Sequence, residues 1–199
     1  MRNLQSSENV SARGGVMPRI EIRIAGFGGQ GVVLAGVLFG KAAVLCEGKH
    51  AIQTQSYGAS ARGGAARSDI IVSNDDIIYP QVTAPDVMVA FTTEALSKYQ
   101  SKLKQDAVLI IDEDLVTPPE GTSFRIYRVP ATSIAVSEFG RGIVANMIML
   151  GFLTAVTGVV STQALEETIK TGVPKGTEEL NLAAFRRGVE YFQGLVNSR

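Results

Sequence analysis

The sequence predicts an α/β protein: a three-layer α/β/α arrangement with a mixed, mostly parallel sheet and helices closing the C-terminal end. Three observations carry that expectation. Ile20, Ile22 and Ile24 alternate with Glu21 and Arg23, then four glycines in six residues break the strand before a long apolar run to Cys46. Two continuous apolar runs, Asp86 to Phe91 and Ala107 to Ile111, have the length and composition of buried central strands. Helical stretches separate most of these, the alternation that a layered α/β fold requires.

The elements follow in order. Residues 1–17 are polar and aperiodic and lack an apolar segment of the secretory kind, so they read as a disordered lead before a single domain spanning 18–199. After the first strand, a helix from about Gln30 to Cys46 carries small residues at Ala35, Gly36, Gly40, Ala42 and Ala43 and is apolar nearly all round. Such a helix should be covered on all sides, and Gly48 stands where a left-handed stop is needed. His50 to Gln55 alternates as a short strand, and Ser56 to Ala66 reads as a loop of roughly ten residues, a length usually kept for function. Arg67 to Asn74 resumes alternation. Asn74-Asp75-Asp76 reads as a turn, and Ile77 to Tyr79 as its short hairpin partner, ended by Pro80.

Thr93 to Leu103 is helical with Thr92 or Thr93 as cap, Phe124 to Val129 is a strand, and Pro130 opens a helix to Phe139. Ile143 to Val160 is mostly apolar over a length that could span a bilayer. However, Asn146, Thr154 and Thr157 interrupt it, and no Lys/Arg cluster flanks one end. It reads as a helix buried between the sheet and another surface, whether of this chain or of a second subunit. Ser161 caps a helix to Lys170, and Thr177 opens an amphipathic one with Leu182, Phe185, Val189 and Phe192 on one face.

Composition narrows the function. Nineteen basic and nineteen acidic side chains balance, so there is no cationic field for nucleic acid or an anionic membrane. One cysteine, Cys46, cannot form an intrachain disulfide or supply a Cys-ligated iron–sulfur or zinc centre. A cytoplasmic setting fits that usage. One histidine, His50, leaves no Ser-His-Asp set to assemble, and both residues read as structural. The acidic run Asp112-Glu113-Asp114 at a strand end is a solvated turn or, alternatively, a metal site.

The candidate site is the glycine turn. Gly26, Gly28 and Gly31 satisfy G-x-G-x-x-G between strand and helix, and Gly29 and Gln30 complete the turn. A helix start offers unpaired N–H groups and partial positive charge, and glycine lets an anion reach the backbone. Dinucleotide binding needs a carboxylate closing the next strand. Glu47 has the spacing but stands at the helix end, and Gln53-Thr54-Gln55 offers only amides. Three readings stay open: a modified dinucleotide site, another phosphate contact, or a tight turn without a ligand. Arg62, with Gly63 and Gly64 clearing its approach, could clamp phosphate or carboxylate bidentately. Ser56 and Tyr57 sit just upstream as candidate contacts, Tyr57 reading equally as a packing residue.

Gly26-Phe-Gly-Gly-Gln-Gly31, Gln53-Thr-Gln-Ser-Tyr-Gly58 and Ala61-Arg-Gly-Gly64, in that order, resemble the gamma subunit of the 2-oxoacid:ferredoxin oxidoreductases. The resemblance runs from about Pro18 to Gly194. Asn146-Met-Ile-Met-Leu-Gly151 and Val173-Pro-Lys-Gly-Thr-Glu-Glu-Leu180 are most similar to the 2-oxoglutarate type. Ala59-Ser60 departs from the Pro-Glu of many relatives. The resemblance implies oxidative decarboxylation of a 2-oxoacid, with electrons passed to ferredoxin and the acyl group to coenzyme A. Thiamine diphosphate and the iron–sulfur clusters would sit on partner subunits, the partners being alpha, beta and, left open, delta, and this chain would bind none of them alone. The expectation built on it is that the Gly28 to Gly31 turn and Arg62 receive the phosphates of coenzyme A at a subunit interface, with Gly26, Ser56, Tyr57, Gly63 and Gly64 as further cofactor contacts and no catalytic residue here. A stand-alone dinucleotide-binding oxidoreductase is the competing function.

Overall fold

The computed structural model describes residues 19–58 and 64–198. The expected disordered lead and the loop positions 59–63, Arg62 and Gly63 included, lie outside the described residues. Six strands form one sheet in the order β2-β3-β1-β4-β5-β6. They are β1 (Ile20–Phe27), β2 (His50–Tyr57), β3 (Ala65–Ser73), β4 (Val87–Ala90), β5 (Val108–Asp112) and β6 (Arg125–Val129). From β1 through β6 the pairs are parallel, while β3 runs antiparallel to both β1 and β2. The mixed, mostly parallel sheet is therefore as expected.

The helices are α1 (Val32–Leu45), α2 (Thr93–Tyr99), α3 (Ala131–Phe139), α4 (Ala145–Thr157), α5 (Thr162–Gly172) and α6 (Glu178–Asn197). They divide unequally. Ile20, Ile22 and Ile24 point into a large core with α1, α3, α4, α5 and α6. Ala25 points the other way, into a smaller cluster with Met88, Ala90, Leu109 and Ile111 that α2 alone roofs through Ala95, Leu96 and Tyr99. The period-two alternation of β1 fixes which residue faces which layer.

Four expectations are corrected. Ile77 to Tyr79 is no strand: β3 already has both edges occupied, by β2 and β1, and Ile78 is 95% exposed. The hairpin partner of β3 is β2, paired from His50↔Ser73 to Tyr57↔Ala66. The strands accordingly run deeper into the expected ten-residue loop, and the Gly58 N–H donates to the Ala65 carbonyl at 2.7 Å. Helix α1 is covered along most of its length, yet Val44 and Leu45 in its last turn are exposed, as is Cys46 beyond it.

Asp112 is no solvated turn residue. It is fully buried, accepts from the Thr132 hydroxyl at 2.6 Å, and with Asp114 receives N–H groups at the start of α3. Two carboxylates at a helix start meet its orphan donors and its dipole. Among the described residues no cluster of His, Cys, Asp and Glu could hold a metal ion.

The long apolar segment resolves into α4, buried at every residue except Ala155. Its second surface is α6 of the same chain. Gly151 lies under the Phe185 carbonyl and Gly188 under that of Ile148, so the two helix backbones touch where side chains would hold them apart. Phe152, Tyr127, Tyr191 and Phe192 pack beside this crossing at centroid separations of 5.5–6.1 Å. Among the described residues no helix is long and apolar enough to cross a membrane.

Candidate functional site

Adjacent parallel strands β1 and β4 send their connections to opposite faces, β1 into α1 and β4 into α2. The crevice at the carboxyl ends of two such strands is where open α/β sheets place ligands. Here that position holds the glycine turn.

The turn is built by several close fits. Gln30 folds its side chain back to accept the Phe27 N–H at 2.6 Å, while its own N–H reaches the Phe27 carbonyl at 3.2 Å. A Cβ at Gly26 would meet that Gln30 oxygen at 2.5 Å and Phe91 at 2.9 Å. Gly31, the residue before α1, has φ of 74° and offers no side-chain cap. Its carbonyl accepts the Ala35 N–H at 3.0 Å, with the Asn146 amide of α4 3.4 Å away. Gly64, from the start of β3, takes the Gly28 N–H at 2.9 Å.

What remains is a row of free donors. Among the described residues, the N–H groups of Gly29, Gly31, Val32, Val33 and Leu34 have no protein acceptor. Gly28 and Gly29 are exposed, and Gln30 and Gly31 are half-buried, so the turn is open to a ligand. Such a row at a helix start can hold phosphate or carboxylate oxygens.

The predicted site residues therefore divide. Gly26, Gly28, Gly29, Gln30, Gly31 and Gly64 come together at the turn. Ser56 and Tyr57 lie at the same end of the sheet, but on β2, two strands from Gly26. Neighbours on a strand face opposite ways, so Ser56 and Tyr57 cannot both turn toward one ligand. Asn146 was not singled out as a site residue. The signal for it was an amide inside an otherwise apolar stretch.

Glu47 is excluded as a ribose ligand, since it lies at the far end of α1 and holds Lys49 at 2.7 Å and the Ser161 N–H. Burial opposes its ionisation, yet these hydrogen bonds outweigh it and draw its pKa below the ordinary value. A shallow groove of about 660 Å³ lies at that same far end, between Val44, His50, Ile52, Ile77 and Ile78. Lys49 and Asp76 also line it, and it holds none of the turn's free donors.

Fold and site together define an open α/β unit with a glycine turn at its switch point that offers backbone N–H groups. The sequence model of the pyruvate ferredoxin/flavodoxin oxidoreductase family matches residues 21–191, and the chain belongs to that family. It is 52% identical over 178 residues to the 2-oxoglutarate synthase subunit KorC of Methanothermobacter thermautotrophicus, covering 86% of this chain and 94% of that protein. Among solved structures, it resembles the keto/oxoacid ferredoxin oxidoreductase gamma subunit of Geobacter sulfurreducens. The TM-score is 0.78 at 41% identity, over 88% of this chain and 99% of that one. The 2-oxoglutarate:ferredoxin oxidoreductase of Magnetococcus marinus shares the fold, with a TM-score of 0.81 at 23% identity over 89% of this chain and 32% of that longer chain. The resemblance to the gamma subunits, closest to the 2-oxoglutarate type, is thus borne out, and the chain is a subunit of a 2-oxoacid:ferredoxin oxidoreductase.

Proposed function

We propose that this chain is the accessory gamma subunit of an enzyme converting 2-oxoglutarate and coenzyme A to the acyl-CoA and CO₂ with reduction of ferredoxin, and that its glycine turn receives coenzyme A phosphates. The choice of 2-oxoacid rests on similarity: 52% identity to a KorC subunit against 32% to the pyruvate synthase subunit PorC of the same organism. The assignment of thiamine diphosphate and the clusters to partner subunits, alpha, beta and, left open, delta, rests on the family resemblance, and the single cysteine in 199 residues, too few to ligate a cluster, accords with it. On this reading the isolated chain is inactive, works in the cytoplasm and meets ferredoxin only through the assembled complex.

The observation that supports the phosphate role is the set of N–H groups of Gly29, Gly31, Val32, Val33 and Leu34, without a protein acceptor among the described residues, at a turn whose Gly28 and Gly29 are exposed. A helix start contributes ~0.3–1 kcal/mol to a bound anion, and up to ~2 when partly buried. Arg62 would add a charge-assisted pair of ~1.5–3 kcal/mol. These magnitudes suit a ligand shared among subunits.

The test uses the reconstituted complex. Among the described residues a Cβ at Gly28 meets the Gly64 carbonyl at 3.6 Å, an ordinary contact, so Gly28→Asp places a carboxylate at the turn. Both Gly28→Asp and Arg62→Ala should raise the KM for coenzyme A by roughly tenfold, equivalent to ~1.4 kcal/mol, with kcat at saturation little changed. Unchanged KM values in both would remove the phosphate role. Turnover of 2-oxoglutarate against pyruvate in the same complex tests the substrate.

A further inference from the structure

Three cations gather around one aromatic ring on the thinly roofed face of the sheet. The guanidinium carbons of Arg23 and Arg67 lie 5.1 and 5.3 Å from the centre of the Tyr99 ring, and the Lys98 Nζ lies 5.5 Å away. One carboxylate answers them. Asp69 accepts from Arg23 Nε and Nη2 at 2.7 and 2.9 Å, and Arg67 Nε stands 3.4 Å from it. The remaining Arg23 nitrogen, Nη1, is buried without a hydrogen-bond partner.

The group thus carries an excess of two positive charges in a chain whose net charge is zero. Cation–π attraction holds the cations in place but leaves their charge unneutralised. No neighbouring element supplies the missing anion among the described residues. Glu94, one turn before Lys98 on α2, makes no ion pair. Glu21 on β1 is occupied by Arg19 and by the N–H groups of Thr83 and Ala84. β2 offers only amides, hydroxyls and His50 along its length.

The surface beside these cations is open. Thr54 and Ser56 stand directly opposite Asp69 and Arg67 in the β2–β3 pairing, so they share that face, and both are exposed. α2 covers β1 and β4 and reaches β3 through Tyr99, leaving Thr54 and Ser56 of β2 exposed and Arg67 half-buried. β2 is the outermost strand of the sheet and contains neither proline nor lysine, the residues that commonly blunt a free edge.

We propose that this strip, from Thr54 and Ser56 across Arg67 to Lys98, docks an acidic segment of another subunit, whose carboxylates pair with Arg67 and Lys98. The inference rests on the reading of the chain as one subunit of a larger oxidoreductase. Charge complementarity selects carboxylates. The extended surface of paired strands, with no helix start beside it among the described residues, favours an extended protein segment over a small anion. Arg23, locked by Asp69, serves to hold Tyr99 and Arg67 in place.

The test is the affinity of the purified chain for its own remaining subunits, measured at low and high salt. Arg67→Gln/Lys98→Gln should raise Kd by roughly tenfold at low salt and converge with the wild type at high salt, because interfacial charge pairs are screened. Lys98→Glu, on a fully surface position of α2, should do the same and protects the test against misfolding of the double variant. Melting of the isolated variants should match the wild type. Equal affinity for variant and wild type at low salt overturns the proposal. So does stabilisation of the wild type, but not the double variant, by pyrophosphate, which would assign the strip to a small anion. Failure of the wild type itself to bind the other subunits would overturn the functional reading instead.

Discussion

Gly31 shows how much a single residue decides here. Its φ of 74° costs any L-residue with a Cβ about 1–2 kcal/mol, and that Cβ would stand 2.1 Å from the Asn146 amide nitrogen. Gly31→Ala should therefore lower stability by at least ~2 kcal/mol in denaturant unfolding, displacing α4 from the turn as well as straining it. Gly31→Ala/Asn146→Ala should recover part of that loss, leaving mainly the backbone strain. At Asp112 the effect is electrostatic. Burial raises its pKa above 3.8, hydrogen bonds from Thr132 and the Asp114 N–H offset this only in part, and the Asp114 charge adds to it. A raised carboxyl pKa means the protonated form is favoured in the fold, so its contribution is full below 3.8 and is lost as pH rises through the raised value. Relative to Asp112→Asn, the wild type should thus gain melting temperature as pH falls from neutral toward that range. A constant difference across pH would refute this.

At the scale of elements, the contact of α4 with α6 is the most exacting. A Cβ at Gly151 would stand 2.0 Å from the Phe185 carbonyl, and one at Gly188 would stand 1.9 Å from that of Ile148. Backbone cannot swing aside as a side chain can, so Gly151→Ala or Gly188→Ala must part the helices and loosen the Phe152–Phe192 cluster. Each should cost ~3 kcal/mol or more in chemical denaturation, at the top of the range for overpacking. The pair should fall short of additivity, since once the helices have parted the second methyl meets less resistance. Across the sheet, the buried Arg23–Asp69 pair ties β1 to β3, the antiparallel neighbours of the mixed sheet. Removing one partner alone strands a charge, which costs more than replacing both.

Over the whole molecule, topology separates the two competing functions. After α1 the chain does not return beside β1 in parallel. It goes to the outer edge as β2, and β3 takes the place next to β1 in antiparallel sense. A dinucleotide site needs the parallel strand that follows the first helix to bring a carboxylate to the ribose, and this fold brings none. Titration of the isolated chain with NAD should accordingly show no saturable binding at micromolar concentrations. A micromolar dissociation constant would restore the stand-alone dehydrogenase reading.

Much of this protein was legible in its sequence. Local periodicity marked β1, α1, β4, β5 and the C-terminal helices, because a strand's two-residue and a helix's 3.6-residue repeat are written by burial on one face. The strand–glycine–helix junction identified the turn, and one cysteine and one histidine left no Cys-ligated cluster and no Ser-His-Asp set to assemble from this chain. Other features depended on contacts between residues far apart in the chain. Three residues from Ile77 to Tyr79 look like a strand, but hydrogen-bonding edges decide strands, and β3 had none left to offer. Asp112 looks solvated beside two other acids, until α3 folds over it. Asn146 interrupts an apolar run and gains meaning only when α4 lies against Gly31. The sequence alone determined where most of the strands and helices lie and where glycines open the backbone at a helix start, since those are local properties. Only the tertiary structure decided which strand lies beside which, because that choice is made by edges and faces that no single segment contains.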